Sequence, residues 1–123
     1  MGVKFIRIAV VYLLIGAIVG LAMGMSQQFT LAPVHAHLLL LGWASMALAG
    51  LIYHWYPAAG ATRLARTHFW VHNLALPVFM VSLGMLLSGT EAAMPFVAAA
   101  ATALLAGLAL FTVNVLLQVK ATP

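Results

Sequence analysis

Residues 33–43 read PVHAHLLLLGW, and this stretch places two histidines at the start of a long apolar run. The two histidines are His35 and His37. Ionisable side chains at membrane depth are costly and usually bind something. Imidazole is the commonest side-chain ligand of metals and suits haem iron, copper and zinc. The stretch therefore predicts a membrane helix that carries a metal or haem ligand.

The chain as a whole has the composition of a membrane protein. Of its 123 residues, 66% are hydrophobic and 5% are charged, whereas soluble domains average about 25% charged residues. This length predicts one domain, residues 1–123. The chain has no cysteine, which excludes disulfides, iron–sulfur clusters and thiolate ligands. Five basic residues are too few for a nucleic-acid surface, so we expect the lipid bilayer as a partner and no nucleic acid.

Four apolar runs are long enough to cross a bilayer, which takes about 20 residues. We expect the spans at about 5–25, 34–56, 67–87 and 93–119. The fold class is therefore an all-α membrane protein with four transmembrane helices. The first run follows a short basic segment and is also similar to a signal peptide. Its length and the lack of a small-x-small cleavage site favour a membrane span.

The charged residues predict the orientation of these spans. All five basic residues fall on one side of the predicted arrangement, and the single acid, Glu91, falls on the other. Short loops that carry basic residues stay in the cytoplasm. We therefore expect a multi-pass protein of a bacterial inner membrane with both termini cytoplasmic. The basic residues are Lys4, Arg7, Arg63, Arg66 and Lys120.

The spacing of His35 and His37 prevents them from binding one iron together. Residues i and i+2 point about 200° apart on an α-helix. No other histidine is expected at that end, so an iron with two histidine ligands would take His35 from one chain and His37 from another. A helix with different ligands on its two sides suits a closed ring of identical chains. The alternative is a pair of interfacial histidines bonded to water or lipid headgroups.

Three further histidines are expected at the opposite end of the bundle. His54 lies 19 residues after His35, about 28 Å further along a helix. His68 and His72 are spaced i, i+4 and share one helix face. Three histidines could hold copper or zinc. Alternatively, they are interfacial histidines beside basic residues and bind no metal.

Glycines repeat at a spacing of four in the first run, at Gly16, Gly20 and Gly24. Small residues at this spacing let a second helix approach closely. We assign these glycines to helix packing alone.

The sequence around the histidine pair resembles a known family. Residues 34–43, VHAHLLLLGW, followed by 47–53, ALAGLIY, resemble the second span of heme-copper oxidase subunit I. The likeness is strongest to the cbb-type oxidases and nitric oxide reductases, and to small stand-alone homologues of that subunit. Subunit I contains three arcs of four spans each, and one span carries a His-x-His pair whose imidazoles serve two haems. The resemblance implies that this chain is one arc of such a ring and forms a homotrimer with haem b between protomers.

With His35 and His37 as the axial ligands of haem iron, no position would remain open for oxygen or nitric oxide, so we predict a cytochrome b-like function in one-electron transfer. The chain departs from the family because no separate copper histidine is expected beside this pair. The redox partner, and whether any oxidoreductase reaction is catalysed, stay open. Two alternatives remain: a haem protein that reduces or senses oxygen or nitric oxide, and a non-haem copper- or zinc-binding membrane protein. A purely structural oligomer is a further one.

Overall fold

Four long helices make up most of the chain. The computed structural model describes residues 1–122, and among these there is no strand. Each of the four helices is long and apolar enough to cross a membrane. They are α1 (Gly2–Ser26), α2 (Ala32–Trp55), α3 (Arg63–Leu87) and α4 (Met94–Gln118). The predicted fold class, an all-α membrane protein with four spans, is confirmed.

Short turns join the helices. One helical turn, Pro57–Gly60, lies between α2 and α3, and a 3-10 turn, Glu91–Ala93, precedes α4. Both α2 and α4 have a proline in the first turn, where the missing N–H leaves no helical bond unmade. Gly89, just after α3, has a φ of +105°, which glycine tolerates.

The helices pack mainly as two pairs, α1 against α2 and α3 against α4. Glycines permit the close approach of α1 and α2. A Cβ added at Gly42 would lie 2.5 Å from Cγ of Tyr12, and one at Gly50 would lie 2.9 Å from the carbonyl oxygen of Gly2. Either distance is shorter than real Cβ contacts allow, so a larger residue at Gly42 or Gly50 would push the two helices apart.

A cluster of rings joins all four helices near the end that carries the basic residues. The Phe5 ring of α1 is fully buried, with its centroid 5.5 Å from the ring of Tyr53, 5.1 Å from that of His68 and 5.2 Å from that of Phe69. The Phe111 ring of α4 lies 5.1 Å from the His68 ring. Because the rings come from every helix, this cluster fixes how the two pairs sit against each other.

Helix α2 changes its hydrogen-bond register in the middle. The segment Leu38–Ala44 is π-helical, and it lies between the α-helical segments Ala32–His37 and Ser45–Trp55. Helices of this kind are rare and occur frequently at functional sites. The sequence predicted a helix here but no change of register, because a run of leucines is compatible with either bonding pattern. The π-helix begins at the residue after His37.

Candidate functional site

The imidazole of His35 lies against α1. Its Nδ1 donates a hydrogen bond to the carbonyl oxygen of Gly16, with a nitrogen–oxygen distance of 2.8 Å. The ring lies over Gly20, where an added Cβ would come within 2.7 Å of Cε1 of the histidine. His35 is half-buried. Gly20 therefore provides the space that the ring occupies, and Gly16 provides the acceptor that orients it.

The imidazole of His37 lies on the other side of α2. Its Nδ1 donates to the carbonyl oxygen of Pro33, one turn earlier in the same helix, over 2.6 Å. The ring meets the face of Phe79 from α3 nearly at right angles, with centroids 5.1 Å apart. His37 also lines a cavity of about 190 Å³ among α2, α3 and α4, together with Leu41 and Leu104.

These hydrogen bonds define the chemistry of both rings. A carbonyl oxygen can only accept, so Nδ1 carries the proton in each histidine. In the neutral imidazole, Nε2 then carries the free lone pair. Within residues 1–122, no hydrogen bond engages Nε2 of His35 or of His37. Histidines that bind metals typically have this arrangement, because the Nδ1–H bond fixes the tautomer and makes Nε2 a stronger ligand.

Only two of the three histidines expected at the opposite end come together. His68 and His72 are buried at 2% and 1% exposure, with ring centroids 5.6 Å apart, whereas His54 is exposed and lies beside Trp55. In the part of the chain that the structure describes, no three His, Asp or Glu side chains form a metal-binding group. Copper or zinc on His54, His68 and His72 stays a prediction, with two of its three ligands adjacent.

Each buried histidine makes one hydrogen bond to α2. The hydroxyl of Tyr53 lies 3.0 Å from Nδ1 of His68. His72 donates from Nε2 to the carbonyl oxygen of Leu41, inside the π-helix, over 2.8 Å. The Nδ1 atom of His72 is buried without a hydrogen-bond partner among residues 1–122. Both histidines therefore form contacts between α3 and α2.

A buried amide connects α4 to the basic end of the bundle. Asn114 is fully buried, and its Nδ2 donates to the Ala59 carbonyl oxygen over 2.9 Å. The hydroxyl of Thr62 donates to Oδ1 of Asn114 over 2.9 Å. Through these bonds Asn114 joins α4 to the segment between α2 and α3. The five basic residues are exposed at this end, and Glu91 is exposed at the other.

Sequence reasoning missed three features of the candidate site. It assigned Gly20 to helix packing alone, although this glycine also makes room for His35. It did not predict the π-helix or the bond from His72 to Leu41. The contacts of Gly20 and of Leu41 depend on which residues of different helices lie opposite each other, and spacing along one helix does not contain that information.

Comparisons with family models, with curated proteins and with solved structures found no match to this chain.

Proposed function

We propose that the chain is a haem b-binding membrane protein that transfers single electrons, with iron held between His35 of one copy and His37 of the next. One observation carries the proposal. The two imidazoles lie on opposite sides of α2, and each has Nδ1–H bonded to a carbonyl oxygen, which leaves Nε2 free to coordinate. The resemblance to heme-copper oxidase subunit I leads to the same pair of residues.

The residues present fit a haem with two histidine ligands. Two neutral imidazoles with hydrogen-bonded Nδ1 atoms are a suitable donor set for haem iron. Haem, when bound, would supply a one-electron couple, and with His35 and His37 both holding the iron, electron transfer would be favoured over gas binding. The chain's own contribution is to hold each ring. Gly16 and Gly20 orient His35, while Pro33 and Phe79 orient His37.

The proposal requires an oligomer. Since the two rings of one chain face apart, the iron site is incomplete in a single copy. A site built from different residues of neighbouring copies generates a closed ring. A ring of three follows from the resemblance, in which three arcs of four helices surround the haems. The four apolar helices support a location of this assembly in a lipid bilayer. The exposed basic end is assigned to the cytoplasm of a bacterial inner membrane, with both termini there.

An optical spectrum of the detergent-purified protein, reduced minus oxidised, tests the proposal. We expect haem b bands that do not change when carbon monoxide is added to the reduced protein. His35→Ala and His37→Ala should each abolish these bands. His54→Ala is the matched control, because His54 is exposed and lies outside the site, and it should retain the bands.

Three other outcomes would contradict the proposal. Wild-type bands that shift with carbon monoxide would indicate an open axial position and favour the gas-reactive alternative. Absence of haem from protein expressed with an ample haem supply, together with bound copper or zinc, would favour the non-haem alternative. Absence of any cofactor would leave a structural oligomer.

A further inference from the structure

The π-helix of α2 changes which carbonyl groups receive backbone hydrogen bonds. In an α-helix, the N–H of Ser45 would donate to the carbonyl oxygen of Leu41. Here it donates to Leu40 instead, because the segment Leu38–Ala44 forms i→i+5 bonds. Leu41 therefore loses the donor that an α-helix would give it. The Leu41 carbonyl oxygen, released from Ser45, can then take a bond from a donor on a neighbouring helix, which lipid could not supply.

His72 of α3 supplies that donor. Its Nε2–H reaches the Leu41 carbonyl oxygen over 2.8 Å. His72 is 1% exposed, so water does not compete for this bond from the surface. The other ring nitrogen, Nδ1, is buried without a partner in the described chain. If this position served packing alone, a leucine would fill the same space without burying an unpaired nitrogen. The contacts of His72 therefore support one function, which is its hydrogen bond to Leu41.

The Leu41 carbonyl is one turn away from the iron ligand of the proposed function. Leu41 follows His37 by four residues, and the side chains of both line the same cavity of about 190 Å³. The π-helix starts directly after His37. Any return of this segment to α-helical bonding would rotate the His37 side of α2 relative to the remainder of the helix.

We infer that His72 is a positioning residue, which holds the π-helix of α2 through the Leu41 carbonyl and thereby sets the direction of the His37 imidazole. The inference rests on the proposed function, because the direction of His37 matters to the haem that it would bind. His72 is not one of the proposed iron ligands. It acts through Leu41 and the backbone of residues 38–44.

Electron paramagnetic resonance of the ferric protein tests this role, since the spectrum of a haem with two histidine ligands reports the angle between the imidazole planes. His72→Leu keeps the volume and removes the donor. We expect it to shift the low-spin signal and the midpoint potential while haem content is retained. His72→Gln replaces the ring with an amide that can donate to Leu41, and it should restore both values toward those of the wild type.

His68→Leu is the matched control. His68 is on the same helix and similarly buried, but its hydrogen bond goes to Tyr53 and not to the π-helix. We expect this variant to lose stability without a shift of the resonance signal. Equal shifts in His68→Leu and His72→Leu, or no shift in His72→Leu, would overturn the inference, because His72 would then act as a packing residue.

A second measurement separates this inference from the proposed function. In haem-free protein in detergent micelles, the ¹³C shift of the Leu40 carbonyl and the amide exchange rate of Ser45 report the hydrogen bond between these two groups, which is part of the π-helix. Both should change in His72→Leu and not in His68→Leu.

If the wild-type protein binds no haem, the proposed function fails and His72 retains at most its hold on the π-helix. If haem binds but neither the π-helix nor His37 responds to His72→Leu, the inference alone fails. Should His72→Leu not fold, His72→Gln compared with His72→Asn, whose amide is one carbon shorter, gives the same test.

Discussion

Gly20 of α1 and His35 of α2 are complementary, because the glycine leaves open the space that the imidazole fills. A Cβ at position 20 would lie 2.7 Å from Cε1 of His35 and 3.1 Å from its Nδ1. The same ring is bonded through Nδ1 to the carbonyl oxygen of Gly16, one turn earlier in α1. The position of His35 therefore depends on two residues of a different helix. A substitution at either one acts on the candidate iron ligand.

The first prediction follows from this contact. Gly20→Ala should displace the His35 ring and lower the haem content of the purified protein, measured from the reduced-minus-oxidised spectrum. Gly24→Ala is the control on the same helix, because no atom lies within 4 Å of a Cβ added there. Both substitutions raise helix propensity by about 1 kcal/mol, so the comparison isolates the contact with His35. Equal haem contents in the two variants would show that the space left by Gly20 is not needed for haem binding.

The second prediction concerns stability at the basic end of the bundle. Asn114→Ala removes the donor to the Ala59 carbonyl oxygen and the acceptor of the Thr62 hydroxyl. The Thr62 hydroxyl still lies 3.1 Å from the Ala59 carbonyl oxygen and can donate to it, so the cost is that of the lost buried hydrogen bonds, about 0.5–1.5 kcal/mol each. The unfolding midpoint in a denaturing-detergent titration should therefore fall. Thr112→Ala is the control on α4, because this exposed hydroxyl bonds only to the Leu108 carbonyl of its own helix. A midpoint for Asn114→Ala as high as that of Thr112→Ala would contradict the prediction.

The third prediction concerns orientation, and the absence of native cysteine makes it simple to test. Ala61 is exposed at the basic end, and Glu91 is exposed at the opposite end. In intact spheroplasts, a membrane-impermeant maleimide should label Glu91→Cys and leave Ala61→Cys unlabelled until the membrane is opened. The positive-inside distribution of the basic residues is the reason. Labelling of Ala61→Cys before lysis would reverse the assigned orientation.

The fold was predictable from the sequence because a membrane imposes a simple requirement. A span must be apolar over about 20 residues and must satisfy its own backbone. The runs around Gly16, Ser45, Ala75 and Ala106 meet this requirement, and the structure contains a helix at each of them. The opposite directions of His35 and His37 were also predictable, since both lie in an α-helical segment where the angle per residue is fixed.

The remainder of the site was not predictable, because it depends on contacts between helices. The proximity of His35 to Gly20, and of His72 to Leu41, follows from the rotation and offset of neighbouring helices. The sequence grouped His54 with His68 and His72 by their distance along the chain. In the structure His54 is exposed while the other two are buried. The sequence predicted the correct end of the bundle for His54. It could not predict that His54 lies on an exposed side of α2, because the spacing across a turn does not fix how the two helices are rotated.

The last prediction tests whether neighbouring copies share the site. When His35→Ala and His37→Ala chains carry different tags and are co-expressed, oligomers purified through both tags contain both variants. A mixed ring of three always has one interface at which an intact His35 meets an intact His37, so it should hold about a third of the wild-type haem. Oligomers of either variant alone should hold none, and two differently tagged His35→Ala chains serve as the control. If the ligands of one site came from a single chain, mixing would restore nothing. The shared site would therefore be contradicted if the mixed oligomer held no more haem than the oligomer of two differently tagged His35→Ala chains. This conclusion does not depend on the haem content of the wild type.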